Sequence, residues 1–170
     1  MLQGASPSRL SSLLPQGNQS DPCKNVPALP PGESVDRNIQ TAQALARLAL
    51  ARSGLMGMGV GLSAYSALRL DYFNNMVRLN APWDYKQQGK QFGAANPYEA
   101  GGNFNFGATG AAMGLSTQVL LRGAGFAQTQ SGNGNPAFGS PFGAAPYGDD
   151  PRDQAQIMNG IAYYENCRKP

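Results

Sequence analysis

Histidine is missing altogether from the 170 residues. Any chemistry here runs on carboxylates, hydroxyls, amides, Lys and Arg, and imidazole acid–base steps are excluded. Charge is scarce as well: Asp, Glu, Lys and Arg make up 14% of the chain, where a soluble domain usually carries about a quarter. The net charge of +3 is mild and no basic stripe stands out. A tightly held nucleic-acid partner is therefore not expected, although nucleic acid stays open as a substrate. Cysteine is limited to Cys23 and Cys167. Two sulfurs and no imidazole cannot assemble a four-ligand structural zinc site.

Long apolar runs are missing too. Ser53 to Leu68 is uncharged and flanked by Arg52 and Arg69. It is shorter than the roughly 20 residues that a spanning helix needs, and it holds four glycines. It reads as buried or loop-like backbone, and no stable membrane insertion is expected. The start lacks a basic stretch followed by an apolar run, so no secretory leader is expected.

What is present fits one domain with a core of its own. Gly and Pro are abundant, 22 and 13, which predicts long irregular stretches. Residues 1–32 are rich in Ser, Pro, Gln and Gly and read as a flexible junction, with the folded domain at 33–170. Ser34 is placed to cap a helix that runs to about Arg52, with Val35, Ile39, Ala42, Ala46 and Ala49 on one face. Tyr65, Leu68, Tyr72, Met76 and Leu79 suggest a second helix that stops before Pro82.

Asn103-Phe-Asn-Phe106 alternates polar and aromatic residues between glycines, which predicts a short strand in a hairpin. Ser116 opens a further helix with Val119, Leu120, Gly123, Ala124 and Ala127 on one side. Residues 131–148 form a long Gly/Asn/Pro/Phe loop, either functional or wrapped on a surface. Asp150 and Pro151 then start a last helix that buries Ile157, Ile161 and Tyr164. The expected fold is mainly α with a small β-hairpin, an α+β single domain. Cys23 and Cys167 would close, as a disulfide, a loop worth about 4–5 kcal/mol in the chain-entropy model; free thiols on mobile termini are the other reading.

Four stretches carry a resemblance: Pro31 to Ile39 (PGESVDRNI), Pro82 to Gln87 (PWDYKQ), Gly102 to Gly110 (GNFNFGATG) and Gly148 to Gln154 (GDDPRDQ). With the closing Gly160 to Tyr164 (GIAYY), they resemble the bacterial polymorphic toxin type 44 domain over roughly residues 30–167. The resemblance implies an antibacterial toxin, the exchangeable C-terminal tip of an Rhs-repeat effector delivered by type VI secretion. It further implies a dedicated immunity protein as partner. Two features depart from the family pattern: Gly54 to Leu70 is additional, and Ala100 stands where members carry an acid.

Just ahead of the third of these stretches, Glu99 is the first candidate for catalysis. A glycosidase needs one carboxyl kept protonated by an apolar setting, and often a second that stays ionised. A Glu beside a small β element lining a cleft resembles the layout of lysozyme-like folds. Asp84 would be the second acid, unless it only anchors the turn after Pro82. Lys86 would stabilise developing negative charge, or pair with Asp84 on the surface. Substrate-binding candidates are Trp83, Tyr98, Asn103, Asn105, Thr109 and Asp149, with Trp83 equally readable as core.

Asp150 and Asp153 are explained by capping. The favoured expectation is a hydrolase of peptidoglycan glycan strands in the target periplasm, with no cofactor and no metal. The alternative is a cytoplasmic RNase acting through Lys86, Glu99 and the Asp149 patch, which could take Mg²⁺. A non-enzymatic pore-forming or binding toxin is the third reading.

Overall fold

The computed structural model describes residues 21–54, 61–132 and 134–170. Six α-helices are present among them: α1 (Val35–Gly54), α2 (Gly61–Val77), α3 (Tyr85–Gln88), α4 (Glu99–Ala112), α5 (Thr117–Gln130) and α6 (Pro151–Tyr163). Short 3₁₀ segments at Lys90–Ala95 and Pro136–Phe138 and a π-turn at Tyr164–Arg168 complete the order.

Local signals set several helix starts. The Ser34 carbonyl accepts the Asn38 N–H at 3.0 Å, and its hydroxyl lies 3.5 Å from the Arg37 amide. Ser116 accepts the Val119 N–H, and Asp150 accepts the Arg152 N–H ahead of Pro151. Along α1, Val35, Asn38, Ile39, Ala42, Ala49 and Ser53 are buried, a helical stripe with polar residues inside it.

The expected β-hairpin is absent: Asn103 to Phe106 lies in the middle of α4, and the described residues contain no strand. The reason is packing. α4 is in contact with α1, α3, α5 and α6 and buries ten of its fourteen residues, so it needs no polar face and shows no helical period. Its aromatic residues diverge: Phe104 meets Tyr163 at 5.4 Å between centroids, and Phe106 meets Phe73 at 5.0 Å. Without a β element, the lysozyme-like layout loses its basis; mainly α is what remains of that expectation.

Glycine makes the central packing close. A Cβ on Gly107 would stand 2.0 Å from the Ile157 carbonyl of α6, and one on Gly160 would stand 2.0 Å from the Phe104 carbonyl of α4. The two helices thus approach backbone to backbone at two reciprocal points. α2 is the least embedded long helix; only Phe73 is buried, and Leu62 is 84% exposed. The Gly-rich stretch after Arg52 is therefore neither wholly loop nor wholly buried; its residues 55–60 lie outside the described set. No described helix is long and apolar enough to cross a membrane.

Residues 21–32, which composition assigned to the junction, run as a strap over the helical body. Pro30 is buried, Leu29 packs on the core, and Cys23 is disulfide-bonded to Cys167 across 144 positions of sequence. The rest of the expected junction, residues 1–20, lies outside the described residues. The loop 131–148 folds back on α5: Arg122 donates to the Pro141 carbonyl at 2.6 Å and lies over the Tyr147 ring. That loop delivers Asp149 to the start of α6.

Candidate functional site

Lys86 is the hub. The segment before it is anchored by two buried aromatics, Trp83 and Tyr85, the latter completely enclosed. With its neighbour fixed, the Lys86 stem lies along α4, its Cγ 3.6 Å from where a Cβ on Gly102 would stand. Asn96 then joins α3 to α4, donating to the Lys86 carbonyl at 2.9 Å and accepting the Tyr98 N–H at 3.0 Å. The ammonium reaches Asp153 at 2.8 Å and Glu99 at 3.8 Å. Both carboxylates sit in the first turn of a helix, α6 and α4, where the backbone dipole favours negative charge.

Asp149 completes the cluster, within the field of Lys86 and Asp153. It is 3% exposed, and its carboxylate accepts a hydrogen bond from the Gln154 amide at 2.7 Å. Burial pushes the carboxyl pKa up, the nearby Asp153 charge adds to that, and the Gln154 hydrogen bond opposes it. Asp150 is different: its pairing with the Arg152 guanidinium, and the Arg152 N–H it caps, hold its carboxyl below the usual range. The cluster thus contains an enclosed acid whose carboxyl is pushed up by burial, and an exposed carboxylate, Glu99, beside a cation. Four carboxyl groups (Glu99, Asp149, Asp150, Asp153) face two cations (Lys86, Arg152), so the patch is net acidic even with Asp149 protonated.

The sequence candidates divide. Glu99, Lys86 and Asp149 converge, and Tyr98 adjoins them, its ring edge-on to Phe92 at 6.3 Å. Asn103 lies one helical turn beyond Glu99, nearly buried, with its side-chain NH₂ unpartnered. The others sit elsewhere. Asp84 accepts the Asn80 N–H at 2.8 Å and so anchors the turn after α2. Trp83 is a core residue rather than an open platform. Asn105 and Thr109 are fully buried; Thr109 donates to the Asn105 carbonyl at 2.6 Å. Lys86 pairs with Asp153, not with Asp84.

Sequence reasoning missed two features. Asp153 had been assigned to capping alone, and only its contact with Lys86 reveals its second role. The other is a buried polar chain: Asn38 donates to the Tyr85 hydroxyl at 2.7 Å and to Asn105 at 2.9 Å, and Tyr85 donates to Glu33 at 2.9 Å. Burial raises the Tyr85 phenol above its usual range. The available signal was an Asn placed between Val35 and Ile39 on the apolar stripe of α1.

Near it, Tyr163 donates to Asp36 at 2.7 Å, and Arg168 pairs with the same carboxylate at 2.8 Å. Burial, reinforced by Asp36, pushes the Tyr163 phenol up to about 12.

Two cavities flank the strap. One, of about 340 Å³, is lined by Pro22, Asn25, Val26, Pro27, Phe104, Gln156 and Asn159. The other, of about 220 Å³, includes Glu33, Asp36 and Tyr163 in its lining. Among the described residues, no three Asp, Glu, Cys or His side chains gather as a metal site. Asp149, Asp150 and Asp153 each turn to a different partner, Gln154, Arg152 and Lys86.

No curated protein and no solved structure matches this chain. Residues 72–166 match the family model for bacterial toxin 44. The match runs from within α2 to the π-turn and contains all the cluster residues, Lys86, Glu99, Asp149 and Asp153, while α1 and the strap lie outside it. It takes in more than half of the 170 residues, and the chain belongs to the bacterial toxin 44 family.

Proposed function

We propose that this toxin domain is a carboxylate-based hydrolase that cleaves peptidoglycan glycan strands in the periplasm of competitor bacteria. The observation that carries the reading is the pair of opposed carboxyl environments in one cluster. Asp149 is enclosed and burial pushes its carboxyl pKa up, whereas the Glu99 side chain is about half exposed at 53%. That division of labour is what glycosidic bond cleavage requires: one group to supply a proton, one to meet the developing positive charge of the sugar.

Glu99 then faces the substrate, Asp149 is the proton source of the cluster, and Lys86 with Asp153 holds both helix starts in position. The sequence expectation pairs Glu99 as the acid with Asp84 as the ionised partner; in this reading Glu99 is the exposed carboxylate and Asp149, there a substrate-binding candidate, is the enclosed acid. No cofactor is needed for these steps. The net acidic patch favours a neutral glycan over a phosphodiester, which speaks for this reading over an RNase. The disulfide suits an oxidising compartment. An immunity protein that blocks the cluster, and a secretion carrier joined at the N-terminal side, are the partners this function calls for.

The test is compartment-specific killing. Directed to the periplasm, the chain should round and lyse target cells, and Glu99→Gln should abolish this. Killing only from the cytoplasm, with degraded RNA, would overturn the glycan reading in favour of the nuclease. Killing untouched by Glu99→Gln would remove Glu99 from the mechanism.

A further inference from the structure

The strap is held in an unusual way. Residues 21–29 are mostly exposed, and their polar contacts are with one another: Asp21 accepts the Cys23 and Lys24 N–H groups, each at 3.0 Å, and pairs with the Lys24 ammonium. Among the described residues no hydrogen bond or ion pair joins 21–29 to α4 or α6. What crosses the gap is van der Waals contact and one covalent bond.

The strap comes close at Gly101, where the Ala28 carbonyl would stand 2.0 Å from an added Cβ, and Leu29 packs beside it. Elsewhere the strap roofs the 340 Å³ cavity above Phe104, Gln156 and Asn159 rather than filling it. The covalent bond is Cys23–Cys167, with Cys23 exposed and Cys167 half-buried, so both sulfurs are within reach of an exchanging thiol.

We propose that the Cys23–Cys167 disulfide is a redox latch that decides whether the strap lies on the domain. With the bond broken, the chain between Asp21 and Leu29 has too few contacts to offset the entropy of holding it in place. The roof of the cavity then opens and Gly101 loses its cover. Gly101 is two residues from Glu99 in the first turn of α4, so the latch also supports the backbone that presents that carboxylate. The α4–α6 seam is made without the strap, by Gly107 and Gly160.

Closing the latch takes two protons and two electrons from the two thiols. A disulfide donor accepts them by thiol–disulfide exchange and leaves as two thiols. A reducing cytosol thus keeps the strap undocked and an oxidising compartment docks it, whichever bond the toxin cleaves.

The experiment compares amide NMR spectra of the nitrogen-labelled chain, oxidised and after reduction, with oxidised glutathione added back at the end. Reversible shifts confined to residues 21–34, the Glu99–Asn105 stretch and the tail around Cys167 are expected, with the other helices unchanged. Shifts limited to the immediate neighbours of the two cysteines would overturn the latch, since the strap would then dock without the bond. Collapse of dispersion throughout would overturn it too, making the disulfide a staple for the whole fold. Gly101→Ala with the disulfide intact should shift the amides of Ala28 and Leu29; no change there would disprove the contact on which the latch closes.

Discussion

α4 and α5 are both fourteen residues long and both glycine-bearing, yet Gly107 of α4 and Gly123 of α5 are used in opposite ways, while Gly125 of α5 meets the Tyr147 carbonyl as closely as Gly107 meets that of Ile157. α4 is buried almost all round, and its Gly107 receives a carbonyl of α6 where a side chain would otherwise begin. α5 buries only Leu120 and Gly125, leaves Val119 and Phe126 exposed, and has nothing within 4 Å of the open side of Gly123. In α4 the missing side chain is a condition of packing. At Gly123 it only adds backbone entropy to the unfolded chain. The contrast also separates their roles: α4 fixes the height at which Glu99 meets Lys86, whereas α5 serves as the surface on which the 131–148 loop lies.

The sharpest way to break this comparison is to add one methyl group. Helix propensity alone makes Ala better than Gly by about 1 kcal/mol. At Gly107→Ala and Gly160→Ala the opposite sign is expected, a loss of about 2–3 kcal/mol, because the new carbon would have to displace a backbone carbonyl. Chemical denaturation of each single variant reads this directly, and a gain in stability at either would dissolve the seam.

A smaller effect is expected at Asp149→Asn. The folded carboxyl has a raised pKa, so between the unfolded value near 3.8 and the folded one the native state binds the extra proton. Stability contributed there falls as pH climbs through that window. The amide variant keeps an acceptor for Gln154 but cannot ionise. It should be more stable than the parent at neutral pH, no different below the window, and inactive. A variant that loses stability at neutral pH would show that the carboxylate is a fold element instead.

Smallest is Gly123→Ala, expected to raise stability by about 0.5–1 kcal/mol, since the side chain enters open space and only the unfolded chain is restricted. Thermal melts compared with Gly107→Ala give the contrast its two signs.

Where structure is decided locally, the sequence was readable. Ser34, Ser116 and Asp150-Pro151 mark three helix starts, each by a side chain or ring that acts on the next turn. α4 was not legible for the converse reason: a helix surrounded by other helices carries no polar face, and Asn103 to Phe106 imitates the period of a strand. The cysteines could be counted but not paired, since nothing local relates positions 144 apart.

The same division runs through the site. Glu99, Lys86 and Asp149 stood out because charged residues are few, but their grouping around one ammonium depends on how α3, α4 and α6 meet. Trp83 is indistinguishable from a sugar platform until its burial is seen, and Asp153 had a complete local explanation as a capping residue.

The most direct measurement of the central claim is digestion of purified peptidoglycan sacculi by the oxidised chain, with the products resolved by mass spectrometry. The account predicts soluble fragments with newly formed reducing sugar ends, lost in Glu99→Gln and in Asp149→Asn although both variants remain folded. Intact sacculi under the parent chain, or fragments released undiminished by both variants, would contradict it.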